Sequence, residues 1–194
     1  MLPVVVGLLE QHSDLDIRMM LIDRNVRMPE EGIDMAVRIG PLADSALIAV
    51  PIGQVRQKIV ASPAYLARHG HPHQPSNLSD HQIIGSSGPR AVSDWNLGQK
   101  KERPVRIKPR LLLNTVDSIV AAAEAGLGVA NLLSYQVEKS IRAGRLIEIL
   151  KPGDPTPLPI HLLFERSRRS LPATRLLIDA MKNHALDQRL HRID

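Results

Sequence analysis

Apolar positions along the chain follow two periods, and their alternation lays out a succession of helices and strands. Leu2 to Leu9 is apolar nearly all round, the pattern of a packed helix. In Asp16 to Asp23, Ile17, Met19 and Leu21 recur at period two, which predicts a strand. Met28 to Gly32 reads as a short helical turn, because Pro29 starts a turn but does not fit inside a long helix. Asp34 to Ile39 is a second strand, ended by Gly40-Pro41. Leu47 to Gly53 and Val55 to Ala61 continue as extended sequence. Ser62-Pro63 then supplies an N-cap and a first-turn proline for a short helix, Pro63 to Arg68.

His69 to Ser79 breaks both periods with His, Pro, Ser and Asn, and is read as a crossover between two lobes. Beyond it, strands are predicted near Gln82 to Ser86, Val105 to Ile107 and Arg110 to Leu113. The sharpest local pattern follows. Asn114 or Thr115 caps a helix from Ile119 to Ala125, with Asp117 in the first turn where the helix dipole favours an anion. Gly126 stops it, and Val129 to Leu132 is a strand. A helix from Ser134 to Arg142, a strand from Arg145 to Leu150 and a Pro/Gly loop over 151–157 come next. Ile160 to Glu165 is a strand, and Pro172 opens a last helix with Leu176, Leu177, Ala180, Met181 and His184 at helical spacing. Such alternation favours an α/β fold with mostly parallel strands.

Composition narrows the function classes. At 194 residues the chain suits one domain or two small lobes. It has no cysteine, which excludes disulfides, thiolate metal sites and cysteine nucleophiles. No apolar run reaches membrane-spanning length, and Met1-Leu2-Pro3 lacks the basic start of a signal peptide, so a cytoplasmic location is expected. The formal charge is +5, but the cations are dispersed, with Arg166, Arg168 and Arg169 the densest group. One Trp, two Tyr and one Phe are poor material for stacking bases.

Catalytic constellations do not form. His69, His71 and His73 are separated by Gly70 and Pro72 with no further ligand nearby, so a loop without metal is expected. Glu30, Glu31 and Asp34 read as a solvated turn. Ser86-Ser87-Gly88 is not a nucleophile elbow, and Gly126-Leu127-Gly128 follows a helix rather than opening one. No enzyme and no cofactor are expected. What recurs instead is polar residues at strand ends: Arg38-Ile39-Gly40, Ser86-Ser87 and Asn114-Thr115. Ligands of open α/β sheets sit at the carboxyl ends of strands, and a capped helix start receives anions.

Longer segments carry a resemblance. Gly32 to Ala49, with Asp34, Arg38, Gly40, Asp44, Ser45 and Leu47, resembles the "gxDlaiRiGxlxdSsLia" segment of LysR-type transcriptional regulators. Ala61 to Gly70 is similar to their "asPaYLarhG" segment. Trp95, Arg110-Leu111, Asn114, Ala122-Ala123, Ala125 to Ala130 and Gly144-Arg145-Leu146 follow in the family's order. The resemblance covers the effector-binding portion alone. It implies the winged helix-turn-helix, the linker helix and the first effector-domain strand of the family lie outside this chain, so that DNA contact comes only through the absent domain. Leu133-Ser134 departs from the family's frequent Leu-Pro, and Pro29 is a further departure.

The resemblance implies an α/β, two-lobed type II periplasmic-binding-protein-like fold, with mixed, mostly parallel sheets flanked by helices. Lobe one is placed at residues 1–69 plus about 161–194, lobe two at about 70–160. The implied function is effector sensing for transcriptional control, the ligand being a small anionic or aromatic metabolite. Arg38, Ile39 and Gly40 would line one side of the cleft, and Ser86, Ser87, Asn114, Thr115 and Val116 the other. A homodimer or higher oligomer is implied, through Val5, Leu8, Ile17 and Met19 against Val120 and Glu124. The alternative is a free-standing solute-binding protein of the transport type.

Overall fold

The computed structural model describes residues 1–22, 26–42, 46–87, 94–95, 97, 105–150 and 157–187. In chain order the elements are α1 (Leu2–Gln11), β1 (Met35–Ile39), β2 (Ile48–Val55), β3 (Gln57–Ala61), α2 (Pro63–His69), β4 (Ile83–Ser86), β5 (Asp94–Trp95), β6 (Val105–Arg106), β7 (Pro109–Leu113), α3 (Val116–Glu124), β8 (Val129–Leu133), α4 (Ser134–Arg142), β9 (Ile147–Ile149), β10 (Leu158–Phe164) and α5 (Pro172–Asp187). They form two compact units, Met1–Val55 with Leu158–Asp194, and Arg56–Pro157. Among the described residues no helix is long and apolar enough to cross a membrane.

Unit 1 is a three-stranded sheet in the order β1-β10-β2, antiparallel throughout. The central strand β10 buries Ile160, Leu162, Leu163 and Phe164, as a strand flanked on both edges should. Helix α5 lies against β2 and against α1, burying Thr174, Met181 and Ala185. Helix α1 turns Val4, Val5 and Leu8 inward and leaves Leu2, Val6 and Leu9 exposed.

Unit 2 is a five-stranded mixed sheet in the order β7-β4-β8-β3-β9. Successive residues of a strand face opposite sides. Ile59, Ile83, Val129 and Ile149 therefore build one core with Tyr65, Leu66, Leu78, Trp95 and Leu97. Their neighbours Val60, Ile84, Ala130 and Leu132 build another with Ile119 and Ala123 of α3, Val137 of α4 and Leu146. Helix α2 begins as the sequence dictates: Ser62 Oγ accepts from the Tyr65 N–H at 3.3 Å, and Pro63 occupies the first turn.

Several expectations are corrected. Residues 16–22 form no strand; Ile17 and Met19 are half-buried and Arg18 and Met20 exposed, but no ladder partner is present among the described residues. Period-two alternation records which side is covered, not whether a neighbouring strand exists. Asp23, the last residue of that expected strand, lies outside the described residues.

The strands are not mostly parallel. Only β4–β7 and β4–β8 run parallel; the other described pairs are antiparallel. Helix–strand alternation suggested parallel crossovers, whereas β10 enters unit 1 between β1 and β2 running against both.

The lobe boundaries also move. The first crossing is at Val55/Arg56, not in His69–Ser79, because β3 pairs with β8 and β9 and takes α2 with it into unit 2. The return falls at Pro157/Leu158, within a few residues of the expected boundary near 160. Residues 151–156 of the expected loop lie outside the described residues. The polar stretch instead contains a 3-10 turn, Pro75–Asp80, in which Asn77 Oδ1 accepts from the His73 and Gln74 N–H groups at 3.1 Å each. Finally, Val5 and Leu8 are buried inside unit 1, so they present no surface to a partner chain.

Candidate functional site

In unit 2 the parallel pairing of β4 with β7 decides the geometry. Ser86 stands level with Leu113, and the Ser87 N–H donates to the Leu113 carbonyl at 2.9 Å. The two strands therefore release Ser86-Ser87 and Asn114-Thr115-Val116 at the same carboxyl edge. Thr115 caps α3, its Oγ1 accepting from the Ser118 N–H at 3.3 Å and donating to Ser118 Oγ at 2.7 Å. Asn114 and Asp117 are exposed and Val116 half-buried beside it. With the hydroxyl proton committed to Ser118, the groups left to meet a ligand are the first-turn N–H groups of Val116 and Asp117, which have no acceptor within a helix. Gly126, at φ 79°, closes the helix, and its carbonyl accepts from Arg68 Nη2 at 2.9 Å.

A residue not singled out in the sequence belongs to this edge. The parallel register Ile84–Ala130 carries Asn131 of β8 to the level of Gly85, one residue before Ser86. Asn131 Oδ1 is buried and has no hydrogen-bond partner. Its signal in the sequence was a lone amide inside the apolar run Val129-Ala130-Asn131-Leu132-Leu133.

In unit 1, Arg38 and Ile39 end β1, and Gly40 follows at φ 104°, donating its N–H to the Pro159 carbonyl at 2.9 Å. Arg38 pairs across the ladder with His161 of β10. Arg38 Nε and His161 Nδ1 are each buried without a hydrogen-bond partner. A buried polar atom left unpaired costs roughly 1–3 kcal/mol, so these atoms and Asn131 Oδ1 are the places where a polar ligand gains most. His161 was missed because it sits in the apolar run Ile160-His161-Leu162-Leu163-Phe164, where it reads as an interruption of a strand.

Of the residues expected at a dimer contact, Ile17 and Met19 are half-buried on an extended segment. Val120 packs against the core of unit 2, and Glu124 holds Arg145 Nε at 2.9 Å. Hydrogen bonds from Ser140 and then Arg145 hold the Glu124 carboxyl below its ordinary pKa. The His69 ring stacks on Tyr65 with centroids 4.5 Å apart, while Tyr65 Oη lies 3.1 Å from His81 Nδ1 and accepts from the Gln82 N–H at 2.8 Å.

An open helix start and unpartnered polar atoms at strand ends, on sheets flanked by helices, are features that an α/β ligand-binding domain uses. Comparison with known proteins places it further. Residues 1–186 match the LysR substrate binding domain family, and the chain belongs to that family. It is 35% identical over 189 residues to a putative transcriptional regulator of Pseudomonas aeruginosa, covering 94% of this chain and 61% of that protein. It is 35% identical over 187 residues to the HTH-type transcriptional regulator PgrR of Escherichia coli, covering 94% and 62% respectively. The regulatory domain of CrgA, a LysR-type regulator from Neisseria meningitidis, superposes with a TM-score of 0.82 at 25% identity, covering 95% of this chain and 91% of that one. The fold is therefore the type II periplasmic-binding-protein-like fold, with helices flanking its sheets. The family and these relatives are transcriptional regulators, not enzymes. The chain spans about three fifths of the length of the two regulators it matches.

Proposed function

We propose that this chain is the effector-sensing part of a LysR-type transcriptional regulator, binding a small organic anion and passing its occupancy to a DNA-binding domain in the whole protein. The observation that carries the reading is the shared carboxyl edge of β4 and β7, where Ser86, Ser87, Asn114 and Thr115 meet the N-terminus of α3. The open N–H groups and the dipole of that helix favour a carboxylate. Asn131 supplies an unpartnered amide oxygen for a donor on the ligand. By the family resemblance, Arg38, Ile39 and Gly40 of unit 1 are candidate effector contacts in their own right, with His161 beside them as the ladder partner of Arg38. The relatives named above are regulators, and none of them favours a transport protein. We also propose a homodimer, again on the family resemblance.

The test starts from a thermal-shift screen of organic acids and continues by calorimetry on the hit. Thr115→Val removes the cap and loosens the first turn, so affinity falls roughly tenfold, about 1.4 kcal/mol. Thr115→Ser keeps the oxygen and the affinity. Equal affinity in a folded Thr115→Val variant removes the α3 N-terminus from the site.

A further inference from the structure

Unit 1 holds a cavity at the end of its sheet away from Arg38 and Gly40. It has a volume of about 520 Å³ and is lined by Ile48, Ala49 and Val50 of β2, Phe164 of β10, Arg169, and Arg175, Ile178 and Lys182 of α5. That volume falls within the range of small-molecule pockets. Register fixes its position. Phe164 pairs with Met35 and Ile48, whereas Ile160 pairs with Ile39, beside Arg38 and Gly40. Four residues of strand, about 13 Å, thus separate the cavity from the strand end proposed for the effector.

Its chemistry is two-sided. Ile48, Val50, Phe164 and Ile178 form an apolar floor. Arg175, Ile178 and Lys182 recur at the spacing of one helix face, and Arg169 adds a third cation from the turn before α5. No carboxylate lines the cavity among the described residues; Asp179 is exposed on α5 but is not part of the lining. The nearby Arg168 is paired with Asp34 at 2.9 Å, while the side chains of Arg169, Arg175 and Lys182 have no such partner among the described residues. With three cations and no carboxylate in its described lining, the cavity presents a net positive rim that favours an anion. Phosphate or carboxylate suits the guanidinium forks, and an apolar or aromatic body suits the floor.

We propose that this cavity is a second ligand site, separate from the effector site, that takes an organic anion with an aromatic or branched apolar body. The densest arginine group of the sequence, residues 166–169, thereby acquires a role in part: Arg169 binds, while Arg168 is tied to Asp34. The experiment titrates the isotopically labelled chain with phenyl phosphate, inorganic phosphate and benzyl alcohol, following backbone amides by NMR. Phenyl phosphate should shift the amides of residues 48–50 and 175–182 saturably below about 10 mM, at least about tenfold tighter than either fragment. The double variant Arg175→Gln with Lys182→Gln, at exposed positions and checked for fold by circular dichroism, should weaken it at least about tenfold. Arg169→Gln should weaken it to a lesser degree. The proposal is overturned by shifts confined to residues 38–40 or 86–116, by equal binding of inorganic phosphate, or by no saturable shift. Undiminished binding in the folded double variant overturns it as well.

Discussion

Ser134 stands where the resemblance implies a frequent proline, and its backbone and side chain are both used here. It opens α4, a position where proline is ordinarily well tolerated because the first-turn N–H has no partner. Here that N–H is used: it donates to the Arg56 carbonyl at 2.8 Å, while Ser134 Oγ accepts from the Arg56 N–H at 3.4 Å. The pair ties the start of α4 to the first residue of unit 2. Ser134→Pro should therefore destabilise the chain by roughly 0.5–1.5 kcal/mol despite restoring the family's common residue. Urea denaturation would measure it, and a variant as stable as the parent would show the Arg56 bonds to be unimportant. Gly128 is fixed at the same scale. A Cβ there would run into the backbone of Gln82, whose carbonyl accepts from the Val129 N–H at 2.8 Å.

At the scale of elements, α2 is locked to the entry of β4 through one phenol. Tyr65 is fully buried; its hydroxyl accepts from the Gln82 N–H and meets His81 Nδ1. Tyr65→Phe leaves the Gln82 N–H unpaired and should cost about 1–3 kcal/mol in chemical denaturation. A loss near zero would mean that water replaces the phenol there.

The burial of His81 sets a pH dependence. Desolvation by burial, and then the His69 charge, push the His81 pKa below its ordinary value, against the opposing pull of Asp80. The folded chain then binds fewer protons at His81 than the unfolded chain, so stability rises with pH. That contribution is present above the ordinary histidine pKa of about 6.5 and is lost as pH falls toward the lower folded value. Between pH 7 and pH 5 the melting temperature should fall more steeply for the parent than for His81→Gln. Parallel slopes would exclude His81 as the cause.

At the scale of the whole molecule, the outer face of α1 is one exposed apolar surface that the proposed assembly would cover. Leu2, Val6 and Leu9 stay 60%, 45% and 40% exposed while Val4, Val5 and Leu8 are buried. A substitution that tests the proposed homodimer therefore belongs at Val6 or Leu9. Val5→Glu or Leu8→Glu would break the core of unit 1 first. Val6→Glu and Leu9→Glu should leave the circular dichroism unchanged and shift the sedimentation coefficient from dimer toward monomer, with a two-fold contact feeling each change twice. A parent chain that sediments as monomer at tens of micromolar, the order of ordinary dimer affinities, would refute the dimer.

The sequence by itself determined the local pieces, because the signals for them are local. Ser62-Pro63 starts α2, Thr115 caps α3, and Gly126 closes it, each through backbone groups within four residues. It also determined the family, since the segments around Arg38-Ile39-Gly40 and Ala61 to Gly70 keep their order along the chain. Only the tertiary structure decided which strands are neighbours. That residues 16–22 have no ladder partner among the described residues, that β10 runs antiparallel between β1 and β2, and that β3 with α2 belongs to unit 2 all depend on pairing between distant residues, which no local period encodes. The same is true of the sites. Asn131 and His161 are single polar residues inside apolar runs, which no local pattern marks as site residues; pairing across the sheet sets them beside Gly85 and Arg38. Arg169 belonged to the densest arginine group of the sequence, but only the fold of α5 onto β2 set it with Arg175 and Lys182 around one cavity.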